Sequence, residues 1–453
     1  MAEHRICLVS LGCDKNLVDS RKMLYRLLEE GKEDGETFVL TDEASDAEIL
    51  LVNTCCFIDS AKEESIEHIL EAAKQKEEGN CRILAVTGCM AERYRKEIEE
   101  SLPEVDVILD MEGEKDVRQA LLSALDPEKE PAAKPADEPS SLDAAPQFLT
   151  AEARVGYLKI ADGCDKYCSY CVIPSIRGHY RSVPMEEILK EAAQLAERDI
   201  GEFILIAQET TRYGLDLYGK KMLPELLRRL CLIRGVHWIR VLYCYPEEID
   251  EELIRVMASE KKILPYIDMP IQHCSDRILS LMGRRTSQAE IREKVRLLRE
   301  AMPDICIRTS LITGFPTETE EDHRELMDFV RDMRFDRLGV FTYSREEGTK
   351  AAQMEGQVHH ATKKRRQKEL MLLQQEIAFA AAQERIGTCL EAVVEGRLPA
   401  EGLVVGRTVL DIPDVDANIL IETDRDPVSG SFMQVRVTGS SGYDLIGVPA
   451  DED

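Results

Sequence analysis

Six strand-like runs alternate with five helical ones between residues 155 and 342, and few folds accommodate that pattern. The runs 155–160, 202–207, 237–242, 264–268, 305–313 and 337–342 are short and apolar. Apolar residues at three- and four-residue spacing mark helices at 185–198, 222–232, 247–258, 287–301 and 319–333. Strands that alternate with helices predict a mainly parallel sheet. A closed eightfold barrel would need two more units. The segment 154–380 is therefore expected to form a partial, open (β/α)6 barrel with its reactive face at the C-terminal ends of the strands.

Cys164-x-x-x-Cys168-x-x-Cys171 directly follows the first of these strands. Zinc would want a fourth ligand and a second cysteine pair, and no second pair follows. A [4Fe–4S] cluster held by three thiolates leaves one iron open to the amino and carboxylate groups of a substrate. The motif resembles the signature of the radical S-adenosylmethionine superfamily. That resemblance implies a cluster on Cys164, Cys168 and Cys171 that passes one electron to S-adenosylmethionine and yields a 5′-deoxyadenosyl radical. Tyr167 and Tyr170 fit the same signature, with Tyr170 expected near the cluster or the adenine. The turn Gly314-Phe315-Pro316-Thr317-Glu318-Thr319 ends the fifth strand and looks like the superfamily's S-adenosylmethionine-binding stretch, in which Gly314 and Pro316 let a ligand approach the backbone. Glu209 and Thr210 end the second strand, Gln272 and His273 end the fourth, and Arg308 lies on the fifth. Each is a candidate contact for the cofactor or the target. Each is equally readable as a solvated or paired group at a strand end.

Residues 4–122 read as a separate open α/β domain, with strands at 5–10, 48–53, 82–87 and 105–109 and helices at 17–30, 60–77 and 91–100. Cys13, Cys55 and Cys89 each stand at the end of a strand, beside Gly, Asn or Thr. Strand ends converge on one crevice in a parallel sheet. The spacing alone leaves both readings open, ligands or scattered structural cysteines. Taken with the barrel motif, the words LGCDKNLVDS, NTCCFIDSAKEES and TGCMAER resemble the methylthiotransferase family over nearly the whole chain. The family resemblance implies a second [4Fe–4S] cluster on Cys13, Cys55 and Cys89, where sulfur is delivered, and it points to Cys55 over its neighbour Cys56. Cys7, Cys81, Cys231, Cys244, Cys306 and Cys389 are expected to be structural.

Residues 126–150 form a Pro-, Ala- and acid-rich linker. A helix at 363–385 leads to residues 384–450, whose short strand-like pieces between Gly, Pro and Asp predict a small antiparallel β-barrel. The resemblance makes it a domain of the TRAM type. Residues 384–453 carry 14 Asp or Glu, 5 Arg and no Lys, a net −9, in a chain whose net charge is −28. Such a surface repels nucleic-acid phosphates and suits a basic protein. The local words look most like the branch of the family that methylthiolates an aspartate of the twelfth small-subunit ribosomal protein, free or within the small subunit. Transfer RNA adenosine is the alternative target, and transfer RNA enzymes usually carry Arg where Ile58 stands. Arg21 and Glu209 depart from the usual words, which have acidic residues and Asp there. The resemblance also implies a reducing electron donor and a sulfur donor. No apolar run is long enough for a membrane span, and the charged start MAEHR is unlike a signal core, so a cytoplasmic protein is expected.

Overall fold

The computed structural model describes residues 2–30, 35–126, 145–150, 154–398 and 401–450. In chain order the first part holds β1 (Ala2–Ser10), α1 (Asp14–Leu28), β2 (Glu36–Leu40), β3 (Ile49–Thr54), α2 (Asp59–Glu78), β4 (Ile83–Gly88), α3 (Cys89–Arg93), α4 (Arg95–Ser101), β5 (Val107–Ile108) and α5 (Val117–Leu125). Next come β6 (Val155–Lys159), β7 (Ala161–Asp162), α6 (Ile173–Arg177), β8 (Arg181–Ser182), α7 (Met185–Ala196), β9 (Glu202–Ile206), α8 (Leu215–Tyr218), α9 (Leu223–Cys231), β10 (Trp238–Val241) and α10 (Glu251–Ser259). They are followed by β11 (Ile263–Asp268), α11 (Asp276–Met282), α12 (Gln288–Ala301), β12 (Cys306–Thr313), α13 (Glu320–Met333), β13 (Arg337–Thr342) and α14 (His360–Glu384). The C-terminal strands are β14 (Cys389–Leu398), β15 (Leu403–Thr408), β16 (Ile419–Glu422), β17 (Phe432–Ser441) and β18 (Asp444–Pro449).

The chain gathers into two compact units. The first takes residues up to 151 together with 161–167 and 171–183, and the second takes 152–160, 168–170 and everything from 184. Residues 127–144 of the expected linker lie outside the described residues; at its far end the Phe148 N–H donates to the Arg21 carbonyl at 2.9 Å.

In the first unit a five-stranded parallel sheet runs in the order β2-β1-β3-β4-β5. Its central strands β3 and β4 are buried on both faces, as apolar runs in a parallel sheet must be. Their side chains alternate between two cores. Ile49 and Leu51 pack with Met23 and Leu27 of α1 and Val117 and Leu121 of α5. Leu50 and Val52 pack with Ile69 of α2, Met90 of α3, Ile98 of α4 and Ile176 of α6. The edge strand β2 and the helix α5 are additions to the sequence reading.

In the second unit the six strands expected from the sequence form an open parallel sheet, order β13-β12-β11-β10-β9-β6. Local signals start the helices that join them. Ser287 and Thr319 cap α12 and α13 through reciprocal capping boxes with Glu290 and Asp322. After α14, a closed barrel runs β14-β15-β16-β18-β17. Four of its pairings are antiparallel, but β16 and β18 run parallel, which departs from the all-antiparallel expectation. Five strands cannot alternate direction around a closed ring, so one pair must be parallel. Cys7, Cys81, Cys231, Cys244 and Cys306 are buried. Cys389 is exposed at the first position of β14, so it is not the core residue it was expected to be.

The C-terminal barrel docks at the N-terminal ends of the open sheet, through charge. Glu202, the first residue of β9, accepts hydrogen bonds from Arg240 Nε at 2.7 Å and from Arg407 Nη2 at 2.6 Å. Arg240 also donates to the Thr408 and Val409 carbonyls. Arg337 pairs with Asp411, and the Tyr266 hydroxyl donates to Asp416 at 2.7 Å. Trp238, the single tryptophan of the chain, lies edge-on to Phe432 and donates to Glu391 at 2.9 Å.

Burial alone would raise the Glu202 carboxyl, but Arg240 and Arg407 outweigh it and hold its pKa below the usual value. A lowered folded pKa contributes stability that is complete above the unfolded value of about 4.3 and is lost as pH falls through the folded value. Replacing Glu202 by Gln leaves two buried guanidinium groups without their shared carboxylate, and is expected to cost about 3–5 kcal/mol. Trp238 fluorescence during denaturant unfolding reads that loss directly, and the variant should also lose the extra acid sensitivity of the parent. An unchanged midpoint would show that the network does not hold the barrel in place.

Candidate functional site

In the first unit Asn16 binds the three cysteine loops together. It lies on the first turn of α1, three residues after Cys13, which caps that helix. Its Nδ2 donates to the Leu11 carbonyl at 3.1 Å and to the Thr54 carbonyl, next to Cys55, at 3.0 Å. Its Oδ1 accepts from the Cys89 thiol at 3.7 Å. Gly12 and Gly88, each just before a cysteine, adopt φ values of 91° and 89°, which favour glycine. A Cβ on Gly12 would stand 2.8 Å from Cys55 Cβ and 3.0 Å from its Sγ, and one on Gly88 would strike Asn53 and Thr54. The close packing of the three loops therefore excludes a side chain at either place. Ser65 braces Cys55, accepting from its N–H at 3.0 Å and donating to its carbonyl at 2.9 Å.

Cys13 is exposed, whereas Cys55 and Cys89 are buried. Burial raises the Cys55 thiol and pushes Cys89 up to about 12, with Arg177 opposing the rise at both. Cys56 turns into the core, where its thiol donates to the Cys89 carbonyl at 3.1 Å. Arg177, on α6, is 6% exposed. Its Nη1 donates to Asp19 at 2.7 Å and Asp162 at 3.2 Å, and its Nη2 donates to Asn16 Oδ1 at 2.7 Å and to Cys89 Sγ at 3.7 Å.

Among the described residues no group of three or more His, Cys, Asp or Glu closes around a single metal-ion position. A four-iron cluster spreads its thiolates over separate irons. Three thiols on abutting strand-end loops, with a hydrogen-bonded second layer and a buried cation, suit that chemistry.

The barrel motif places Cys164 and Cys171 in the first unit and Cys168 in the second. The Cys164 N–H donates to the Gly178 carbonyl at 3.1 Å, and Cys171 Sγ accepts from the Ile173 N–H at 3.5 Å. In the second unit Ser169 docks on the end of α11, its N–H bonding the Met282 carbonyl and its hydroxyl the Leu281 carbonyl, both at 2.8 Å. Tyr170 packs against Ile278, Met282, Phe315 and Tyr343, which sets it beside the Gly314–Pro316 turn. Arg284, two residues past α11, is buried over the Tyr245 ring at 4.1 Å and donates to the Pro270 carbonyl at 2.9 Å. Its Nη2 faces Glu247 at 3.8 Å, and among the described residues its Nε and Nη1 have no hydrogen-bond partner.

Other candidates find different partners. Glu318 accepts from the Gly314 and Phe315 N–H groups at 2.6 and 3.1 Å and from Arg366 at 2.9 Å. Lys363 lies across Gly314 where a Cβ would stand. Glu318 and Lys363 thus engage the turn's donors and the space beside its glycine. His273 is fully buried, its Nδ1 accepts from the Ser275 N–H at 3.0 Å, and burial pushes it down to about 3, so it is a neutral imidazole. Thr210 donates to the Leu242 carbonyl at 2.7 Å and so joins the ends of β9 and β10, while Glu209 is buried beside it and accepts from Thr211 at 3.4 Å. Arg308 bonds Asp268 at 2.8 Å and faces Asp416 of the C-terminal barrel at 3.9 Å. It lies in the N-terminal half of its strand and takes part in the docking network.

Sequence reasoning missed Asn16, Arg177 and Arg284. Asn16 had a signal, since side chains on a first turn point back toward the helix start. Arg177 had another, as a lone charge ending the apolar run Val172–Ile176.

Comparison with known proteins agrees with this architecture. Residues 158–330 match the radical SAM superfamily, 5–110 the uncharacterized protein family UPF0004 and 386–449 the TRAM domain. The ribosomal protein uS12 methylthiotransferase RimO of Lachnoclostridium phytofermentans is 52% identical over 443 residues, covering 98% of this chain and 99% of that one. The RimO of Clostridium kluyveri is 44% identical over 452 residues, covering 100% and 99%. Among solved structures, the radical S-adenosylmethionine methyltransferase TsrM of Kitasatospora setae shares the fold with a TM-score of 0.54 at 16% identity, over 74% of this chain and 72% of that one. With end-to-end similarity at that level of identity, the chain belongs to the family of the ribosomal protein uS12 methylthiotransferases.

Proposed function

We propose that this chain replaces one hydrogen on the β-carbon of an aspartate of ribosomal protein uS12 with a methylthio group. The observation that carries the reading is the 52% identity over 98% of the chain to a uS12 methylthiotransferase. Cys164, Cys168 and Cys171 would hold one [4Fe–4S] cluster with S-adenosylmethionine, and Cys13, Cys55 and Cys89 a second. When bound, these groups supply a carbon-centred radical for hydrogen abstraction, and a sulfur and methyl source for the product.

The chain's own residues prepare the two places. Asn16, Gly12 and Gly88 hold the loops that carry Cys13, Cys55 and Cys89 against one another. Ser169 fixes the segment that bears Cys168, and Tyr170 adds an aromatic wall. The orphaned donors of Arg284 on the rim favour an anionic group nearby. The net −9 of residues 384–453 supports a basic protein partner over transfer RNA, since it attracts the one and repels phosphates of the other. A reducing electron donor and a sulfur donor complete the reaction. Among the described residues no helix is long and apolar enough to cross a membrane, and the reading implies the cytoplasm, where ribosomes are assembled.

The test is complementation. In a bacterial strain deleted for its own uS12 methylthiotransferase, expression of this chain should restore the methylthio mass increment on uS12. Normal expression with unmodified uS12, and a methylthio group appearing on transfer RNA adenosine, would move the assignment to RNA.

A further inference from the structure

Arg177 stands six residues after Cys171, yet its guanidinium is built into the pocket of the other cysteine triplet. Two carboxylates orient it: Asp19 on α1 and Asp162 on β7. Its other nitrogen reaches Asn16 Oδ1 and Cys89 Sγ. Asn16 in turn holds the loops of Cys13 and Cys55. One planar fork therefore touches both a candidate ligand sulfur and the side chain that aligns all three candidate ligands. A lysine ammonium is a single point and cannot make those contacts together.

A merely structural ion pair would need only the two carboxylates. The contact with sulfur adds something further. A hydrogen bond and a positive charge at a ligand sulfur stabilise the more negative, reduced state of an iron–sulfur cluster and raise its potential. We propose that Arg177 is a positioning residue for the cluster on Cys13, Cys55 and Cys89, donating N–H to the Cys89 sulfur, raising the potential of that cluster and slowing its loss of iron. The segment that follows Cys171 thereby serves both cysteine triplets. The inference rests on the reading that the N-terminal triplet holds a cluster.

The experiment uses full-length protein with Cys164, Cys168 and Cys171 replaced by Ala, so that only the N-terminal site can hold a cluster. Arginine is labelled with 15N in the guanidinium, and the reduced cluster is examined by pulsed EPR. A coupling to arginine nitrogen is expected, and it should vanish in Arg177→Lys. Because Arg177→Gln alone removes the cation that two buried carboxylates share, it is combined with Asp162→Asn as a second variant. Both variants should be reduced at lower potential than the parent, and should release iron to a chelator about 10–100-fold faster. Iron retained with no arginine coupling, or with an unchanged potential in both variants, would reduce Arg177 to an ordinary ion pair and overturn the inference alone. A parent that binds no iron would overturn the cluster reading beneath it.

Discussion

Alanine at Cys164, Cys168 and Cys171 together is expected to abolish 5′-deoxyadenosine formation and to halve the iron of the reconstituted protein, from about eight per chain to about four. The three thiols lie within eight residues of one another, so no single neighbour can replace a lost ligand without moving the segment. The nearest alternatives by chemistry are poor ones. Cys244 is fully buried, and its sulfur is already 3.5 Å from the Thr210 hydroxyl. Cys274 is buried too. Neither lies on the segment that carries the motif, so neither can take a ligand place without moving its own strand end. Anaerobic iron and sulfide assays with product chromatography check this. About four irons in the parent, all lost in the triple variant, would mean that the chain holds one cluster.

The complementary triple variant, with alanine at Cys13, Cys55 and Cys89, should keep S-adenosylmethionine cleavage and lose all methylthio transfer. The barrel segment has its own supports in the second unit: the two bonds of Ser169 to the end of α11, the packing of Tyr170, and the Ala351 N–H that donates to the Ser169 carbonyl at 2.8 Å. None of these passes through the three N-terminal cysteines. Asn16 keeps its bonds to the Leu11 and Thr54 carbonyls when the thiols go, so the loops should hold their course. Cleavage is read as 5′-deoxyadenosine, and transfer as modified uS12. Loss of both, while the barrel cluster is still seen by spectroscopy, would break the division of labour.

How much of this could be read beforehand depended on the range of the interaction concerned. The six strands of the open sheet were legible because each is a short apolar run between turn residues, and β9, with the sequence EFILI, is buried along its whole length. β2 was not, because an edge strand buries only one of its five residues and looks like a loop. The helix read over 91–100 is two helices that meet at Tyr94. Cys164, Cys168 and Cys171 stood out by their spacing, while Cys13, Cys55 and Cys89 stood out by their places at strand ends only once the family resemblance was added. The groups that position them did not, since Asn16 reaches Thr54 across 38 residues of sequence and Arg177 reaches Asn16 across 161. Arg308 and Gly314 show a second limit of range. A strand position does not say which end of a barrel a side chain serves, and a glycine turn does not say whether a ligand or Lys363 fills the space beside it. Glu202, at the start of a strand, became a buried anchor only once Arg407, 205 residues later, was folded onto it.

The central claim is tested most directly with purified components under anaerobic conditions. The reconstituted protein is given S-adenosylmethionine, a reductant, a sulfide source, and uS12 and transfer RNA in the same vessel. Tandem mass spectrometry should find one uS12 aspartate heavier by the replacement of a hydrogen with a methylthio group, with the transfer RNA unchanged. Turnover of S-adenosylmethionine that leaves uS12 unmodified and places a methylthio group on adenosine would contradict the account.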